Sequence, residues 1–557
     1  MQSELRPRHP GRHRRLALAA LVVGALVLGA CGGDDNGGGG GGGGGNGDPG
    51  EPTPGGKVVY ALEAETADGW CLAEAQLAIS GIQVARTIYD TLVAPNEHGE
   101  YEPFLAESVE PNETYDEWTI VLREGVKFHD GSDLTAEVVK NNLDAYRGVY
   151  PTRKPLLFLF VFQDIDNVEV VDELTVKVTT KRPWPSFPAT LYATGRVGMM
   201  AQAQLDDTET CASNLIGTGP FKLENWTSGV SLSATKNPDY WGKDENGNQL
   251  PYLDEIEYRP FPDGGARVNA LLAGDVDVIH TSSSQQILTL RGEQESGNVN
   301  LVESDDYAEV AYGMMNVSQP PFDSLTARQA VAAAVDAETF NQVINQGLPK
   351  LATGPFAPGS IGYLEENPQP RYDPERAREL VKQYEQESGR KFSFTLQHTT
   401  DTEVTAAAQM LQEMAREVGM DVDLRAVEQA TLIENVIGNE WQIATFRNHP
   451  GGDPDTQYVW WHSSEPTNFG KFKDDEIDRL LDQGRESADP EEREQIYKDV
   501  NRRLGEQVYN YWLNWTIWAV ASDPNVYGVF GPNLPSGAGP FPGLAGGHPV
   551  TGMWVQQ

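Results

Sequence analysis

Between Phe392 and Phe446 the chain repeats a pattern that few folds accommodate. Phe392 to Leu396 alternates as a strand, Glu403 to Val418 carries apolar residues at helical spacing, and Gly419 supplies a left-handed stop. Met420 to Val427 alternates again, with Val422 and Leu424 set against Asp421, Asp423 and Arg425. Thr431 to Ile437 then reads as a helix and Trp441 to Phe446 as a strand. A β-α-β-α-β series implies a parallel sheet, because each helix carries the chain back before the next strand starts. Open sheets of this kind bind ligands in the loops beyond the carboxyl ends of their strands. Those loops begin at Gln397-His398 and at Arg447-Asn448-His449.

Elsewhere the local signals are equally physical. Lys57 to Glu63 alternates as a strand, and Trp118 to Arg123 does so with Trp118, Ile120 and Leu122 on one face. Asp130-Gly131 turns the chain, and Thr135 caps a helix whose Val139, Leu143 and Tyr146 share a side. Val168 to Thr180 reads as two more strands. In Gly217-Thr-Gly-Pro-Phe221 two glycines and Pro220 fix a sharp turn. A hairpin follows, turning at Ser228-Gly229 and ending at Asn237-Pro238-Asp239, and Tyr240-Trp241 add apolar area at the sheet edge. Asp373-Pro374-Glu375 opens another helix, with Asp as cap and Glu facing the positive dipole end. The aromatic run Val508 to Trp518 reads as core, and the Gly- and Pro-rich stretch Phe530 to Gly552 as an irregular surface wrap.

Five arginines precede an apolar run from Leu16 to Ala30, the form of a secretory signal. The run ends Leu28-Gly29-Ala30-Cys31, which resembles the site at which a cysteine is diacylated and the peptide is cut before it. Nine consecutive glycines, Gly37 to Gly45, and a Pro-rich stretch to Gly56 make a tether that cannot bury apolar surface. A formal charge of −40 argues against nucleic acid and anionic lipid as partners. Beyond Cys31 the cysteines are Cys71 and Cys211; an even pair in an exported chain favours a disulfide, with metal binding or free thiols the alternatives. No His-Glu-x-x-His, Gly-x-Ser-x-Gly or Gly-x-x-x-x-Gly-Lys motif is present, so the sequence offers no metal, cofactor or catalytic constellation.

Gly217-Thr-Gly-Pro-Phe followed by Asn237-Pro-Asp-Tyr-Trp241 resembles the most recognisable block of the family 5 solute-binding proteins, the peptide, nickel and oligosaccharide receptors of ABC importers. Ala106-Glu-Ser108 with Trp118 to Val138, Asp263 to Asp277, and Pro321-Phe-Asp through Arg328-Gln-Ala to Asp336 are similar to three more blocks, in the same order. The resemblance implies an α/β, two-lobed periplasmic-binding-protein type II-like fold with an additional inserted α+β domain. After a signal at 1–30 and a lipidated, Gly-rich tether at 31–56, lobe I takes 57–99, 213–306 and 521–557. The inserted domain II takes 100–212 and lobe III takes 307–520. It further implies a monomer, lipid-anchored on the outer face of the cell membrane, that closes on a small polar solute and delivers it to permease subunits. A sensory or adhesive receptor without transport, and an extracellular hydrolase, are the alternatives.

A cleft between lobes needs aromatic faces and a few polar anchors. Trp70 is the candidate from lobe I; Gln397, His398, Arg447, Asn448, His449, Asp453, Trp460 and Trp461 are those from lobe III. In one respect the chain departs from the family. Its peptide receptors commonly hold the ligand's ammonium with an aspartate just before a Gly-Asp-Pro-Asp-like sequence, whereas Gly452-Asp-Pro-Asp455 follows Arg447-Asn-His-Pro-Gly451, which has no acid. An anionic or sugar-like solute therefore stands beside peptides as the expected ligand. Arg447 is the expected carboxylate anchor, against a structural ion pair with Asp453 or Asp455.

Overall fold

The structure is a computed structural model that describes residues 50–66, 69–448 and 452–556. The signal, Cys31 and the glycine tract lie outside the described residues.

The β-α-β-α-β series forms as its spacing requires. Ser393–Thr399 pairs in parallel with Asp421–Val427 and with Ile443–Asn448, while Thr402–Glu417 and Gln429–Ile437 carry the crossovers. Asp401 accepts the backbone N–H groups of Glu403 and Val404 at the start of Thr402–Glu417, and Gly419 adopts φ +97° just after its end. Val310–Met315 and Asn510–Trp515 add antiparallel strands and complete a five-stranded sheet. The third strand runs two residues past Phe446, because Arg447 and Asn448 pair with Ala311 and Val310. The first likewise runs through Gln397 and His398 to Thr399, in register with Arg425, Ala426 and Val427. These candidate residues therefore end strands and do not begin loops.

A seven-stranded sheet centres on Lys57–Leu62, parallel to Glu255–Pro260 and Val278–Thr281. The hairpin Phe221–Thr227 and Ser231–Lys236 extends one side of it. On the other side Trp518–Ser522 lies between Val278–Thr281 and Asn300–Ser304. The aromatic run thus splits: Asn510–Trp515 belongs to one sheet and Trp518–Ser522 to the other, so the crossing comes at 516–517, a few residues before the boundary expected at 520.

A third sheet, four-stranded and antiparallel, comprises Ala106–Pro111, Glu117–Leu122, Thr175–Thr180 and Ile165–Val170. Trp118, Ile120 and Leu122 are buried on one face, as are Val139, Leu143 and Tyr146 of helix Ala136–Tyr146, whose cap Thr135 accepts from Val138. This sheet and the seven-stranded one share a single apolar core that runs from Val58 and Tyr60 to Trp118 and Val178. The five-stranded sheet has its own cores, with Tyr312 and Trp512 in one and Met315 and Tyr511 in another.

The Gly217–Trp241 block explains why the first two sheets act as one. Gly217 and Gly219 lie against the Ile88 carbonyl so closely that a Cβ at Gly217 would sit 2.0 Å from its oxygen. Gly219 N–H donates to that oxygen at 2.9 Å. His129, from the Phe-His-Asp-Gly turn, accepts from Gly217 N–H through Nδ1 (3.3 Å) and donates to Gly219 O through Nε2 (3.0 Å). Burial pushes this imidazole down to about 4, so it stays neutral. Thr218, Tyr240 and Trp241 all donate to the carboxylate of buried Asp90, at 3.1, 3.4 and 2.9 Å. Nearby, a disulfide joins Cys71 to Cys211, Cα–Cα 5.1 Å, and bridges the loop after the first strand to the segment before the hairpin. Among the described residues no helix is long and apolar enough to cross a membrane, and no group of three His, Cys, Asp or Glu could hold a metal ion.

Two predictions follow from this junction. Burial pushes Asp90 up to about 6 despite its three donors, so the native state binds its proton more tightly than the unfolded chain. Its stabilising effect is complete below about pH 4 and is lost as pH rises through about 6, a change on the order of 3 kcal/mol. Urea midpoints measured from pH 4 to 7 should therefore give a wild-type minus Asp90→Asn difference that shrinks with rising pH; a constant difference would refute the assignment. Because Cys71 and Cys211 are 140 positions apart, replacing both with Ser should cost roughly 3–5 kcal/mol on the chain-entropy account. A calorimetric melt of the double variant checks this, and an unchanged midpoint contradicts it.

Candidate ligand site between the lobes

The chain passes between the seven-stranded and five-stranded sheets twice, at 305–309 and at 516–517. The two crossings lie side by side, with Thr516 N–H donating to Glu309 O at 2.8 Å. Two short adjacent segments leave rotation as the easy motion between the bodies they join.

Beside this hinge the carboxyl ends of strands from both sheets face one another. Arg447, near the end of Ile443–Asn448, extends its guanidinium to Glu309 in the first crossing (2.9 Å) and to Ser282 Oγ, just beyond Val278–Thr281, at 3.0 Å. Its side chain is 47% exposed, whereas the Glu309 side chain is 1% exposed. Ser283 donates to Glu403 at the start of the facing helix (2.7 Å), a second contact between the bodies. Across the gap Arg267 pairs with Glu63, which leaves the end of Lys57–Leu62, at 3.0 Å. Glu309 raises the pKa of Arg447, and Glu63, Asp401 and Glu403 add to the effect. Burial pushes Glu63 up, against the charges of Arg267 and Arg447. Counting Asp263, which acts on Arg267, five carboxylates thus act on two guanidinium groups.

The other expected contacts are dispersed. Trp70 is 1% exposed and packs edge-on against Trp226 at 6.0 Å. Gln397 is buried and uses its amide on Glu440 O (2.9 Å) and Asn435 (3.2 Å); His398, also buried, contacts Thr399 O through Nδ1 at 2.7 Å. Asn448 donates to Gln457. Asp453 forms a two-pronged pair with Arg493 at 2.9 and 2.8 Å, and Asp455 pairs with Arg485 at 2.9 Å. Neither aspartate takes Arg447, so the alternative of an ion pair with Asp453 or Asp455 is corrected: its partner is Glu309, which pairing of Val310 with Asn448 brings alongside. Trp460 packs on Phe469 and buried Trp461 on Phe356. His449 lies outside the described residues. Sequence reasoning did not single out Glu63, Ser282, Ser283, Glu309 or Glu403. Glu63 and Ser282 were within reach of the rule applied to lobe III, since both leave carboxyl ends of parallel strands.

Comparison with known proteins supplies the rest. The family described as bacterial extracellular solute-binding proteins, family 5 Middle, matches residues 100–471. A glutathione-binding protein GsiB from Salmonella paratyphi A is 29% identical over 432 residues, 75% of this chain and 81% of that protein. Helicobacter pylori DppA, an ABC transporter-associated periplasmic binding protein solved with the peptide STSA, superposes with TM-score 0.78 at 22% identity, covering 91% of this chain and 99% of its own. The binding protein AgaA of A. tumefaciens R10, solved with agropinic acid, gives TM-score 0.78 at 25% identity, covering 90% and 99%. With a family match over most of its length, two lobes on a double hinge and an inserted third sheet, this chain belongs to the family 5 extracellular solute-binding proteins, the solute receptors of ABC importers.

Proposed function

We propose that the protein captures a short peptide-like zwitterion between its lobes and delivers it to the permease subunits of an importer. The observation that carries this reading is Arg447: a half-exposed guanidinium on one lobe that reaches a serine of the other beside the hinge. A planar fork of donors suits a ligand carboxylate. The surplus of carboxylates around it, from Glu63, Glu309, Asp401 and Glu403, favours a ligand that also brings a cation and disfavours a bare anion or a neutral sugar. The segment before Gly452 has no acid, and Glu63 and Glu403 supply negative charge to Arg447 instead. Similar proteins are described as binding glutathione, the peptide STSA and agropinic acid. Binding without turnover fits a family of receptors.

Calorimetry with glutathione and a panel of di- to tetrapeptides tests the reading. For whichever of these binds, Arg447→Ala should weaken affinity by about 2–4 kcal/mol, and Arg447→Lys should recover only part, because a point charge does not reproduce the fork. Unchanged affinity in a folded Arg447→Ala protein removes Arg447 from the site. We further infer that the mature chain is a monomer tethered through a diacylated Cys31, followed by the glycine tract. Cys31→Ser should release protein without lipid label while leaving solute affinity intact; lipid-labelled, membrane-bound Cys31→Ser protein would contradict the anchor.

A further inference from the structure

The four-stranded domain meets the five-stranded lobe through charge. Asp455, 2% exposed, accepts Arg485 Nε on one carboxylate oxygen (2.9 Å). Its other oxygen accepts Trp184 Nε1 (2.7 Å) and Ser186 Oγ (2.8 Å), both from the four-stranded domain. Arg485, 3% exposed, reaches back across the junction to Asp164 Oδ2 at 2.8 Å. Its guanidinium stands 3.7 Å from the centroid of Tyr458 and 4.6 Å from that of Trp184, one ring from each body. Arg182 adds to the set: it bonds Asp164 (2.9 Å) on its own side, and Tyr458 Oη (2.8 Å) and Asp482 on the other, while Gln163 donates to Glu465 across the same junction. Burial alone would push Asp455 up, but Arg485, Trp184 and Ser186 hold it below the ordinary carboxylate range.

This junction contrasts with the one between the seven- and four-stranded sheets, which is a continuous apolar core. An apolar core of that size does not part in normal function. A charged junction differs, because desolvation offsets much of the Coulombic gain while the bonds demand one geometry. When the bodies separate, water replaces the lost partners and no charge is stranded. Rotation about 305–309 and 516–517 would part Asp164 from Arg485, and Trp184 and Ser186 from Asp455.

We propose that Asp164, Arg182, Trp184 and Ser186, closing on Asp455, Tyr458, Asp482 and Arg485, form a reversible latch that holds the lobes shut from outside the ligand cleft. The latch rests on the reading of a two-lobed receptor that closes. Apparent affinity scales with the fraction of molecules able to reach the closed form, so residues that touch no ligand would set part of it.

The test needs no ligand, which separates its failure from that of the proposed solute. Spin labels on cysteines at Val171 and Ile437, 54% and 62% exposed on the two bodies, report the distance between them in full-length protein freed of small molecules by dialysis. The wild type should give one narrow population. Arg182→Gln and Asp164→Asn should each add a second population and raise the ratio of open to closed molecules at least tenfold. Melting curves of both variants establish that they fold, and Arg182, 24% exposed, is the safer of the two. Folded variants with the wild-type distribution would overturn the latch, as would a wild type already as open as they are.

Discussion

The carbonyl oxygen of Ile88 is the point on which the first half of the molecule depends. Gly217 and Gly219 approach it at distances that exclude any side chain, and the His129 ring locks both glycines to the turn of the inserted domain. Beyond Ile88 the chain passes Thr91 on its way to the four-stranded domain, and it comes back through Gly198, which bridges to Thr91, before reaching Gly217. The departing and returning strands are therefore fixed to each other and to Asp90. An apolar core extends on both sides of this knot, and lobe I and the inserted domain become one body by construction.

Rigidity on that side concentrates motion at the two crossings. Glu309 has a double position there: its carbonyl oxygen accepts from Thr516 of the second crossing, and its carboxylate holds Arg447. A ligand carboxylate that draws on the Arg447 fork therefore acts on a side chain already bonded to the hinge. On the proposed reading, occupying the cleft and closing it would be connected through this one guanidinium, by contact and not at a distance.

Where backbone periodicity decides, the sequence was legible. Strand alternation, the caps Thr135 and Asp373 and the stop at Gly419 all reflect forces acting within a few residues, and they form with boundaries displaced by one to three positions. Even Gly217 and Gly219 could be read as a turn, though their reason, the carbonyl of a helix end far away in sequence, could not. Side chains at the cleft were harder. Gln397 and His398 were placed by the carboxyl-end rule, but continued pairing to Thr399 buried them, and their polar atoms found partners inside the lobe. Trp70, Trp460 and Trp461 have the composition of a ligand-lining surface and pack against other aromatic rings. Arg447 was placed near the gap between the lobes because its strand end was read; its partner Glu309 was not, since nothing local says which strand lies beside which.

Recognition has to be achieved against the charge of the whole molecule. A chain with a formal charge of −40 repels anions at long range, yet at about 0.1 M salt that field is largely screened beyond roughly 10 Å. Inside the cleft, screening is weaker and the local arrangement decides. There Arg267 and Arg447 are each claimed by a carboxylate, and Asp401 and Glu403 stand near both. A ligand anion would have to displace Glu309 or share its partner, and either course exposes an acid that needs a cation. A zwitterion brings that cation with it, whereas a lone carboxylate leaves one negative charge unmatched. On the proposed reading, the same pairing of opposite charges suits the cleft to molecules with both ends charged better than to simple anions.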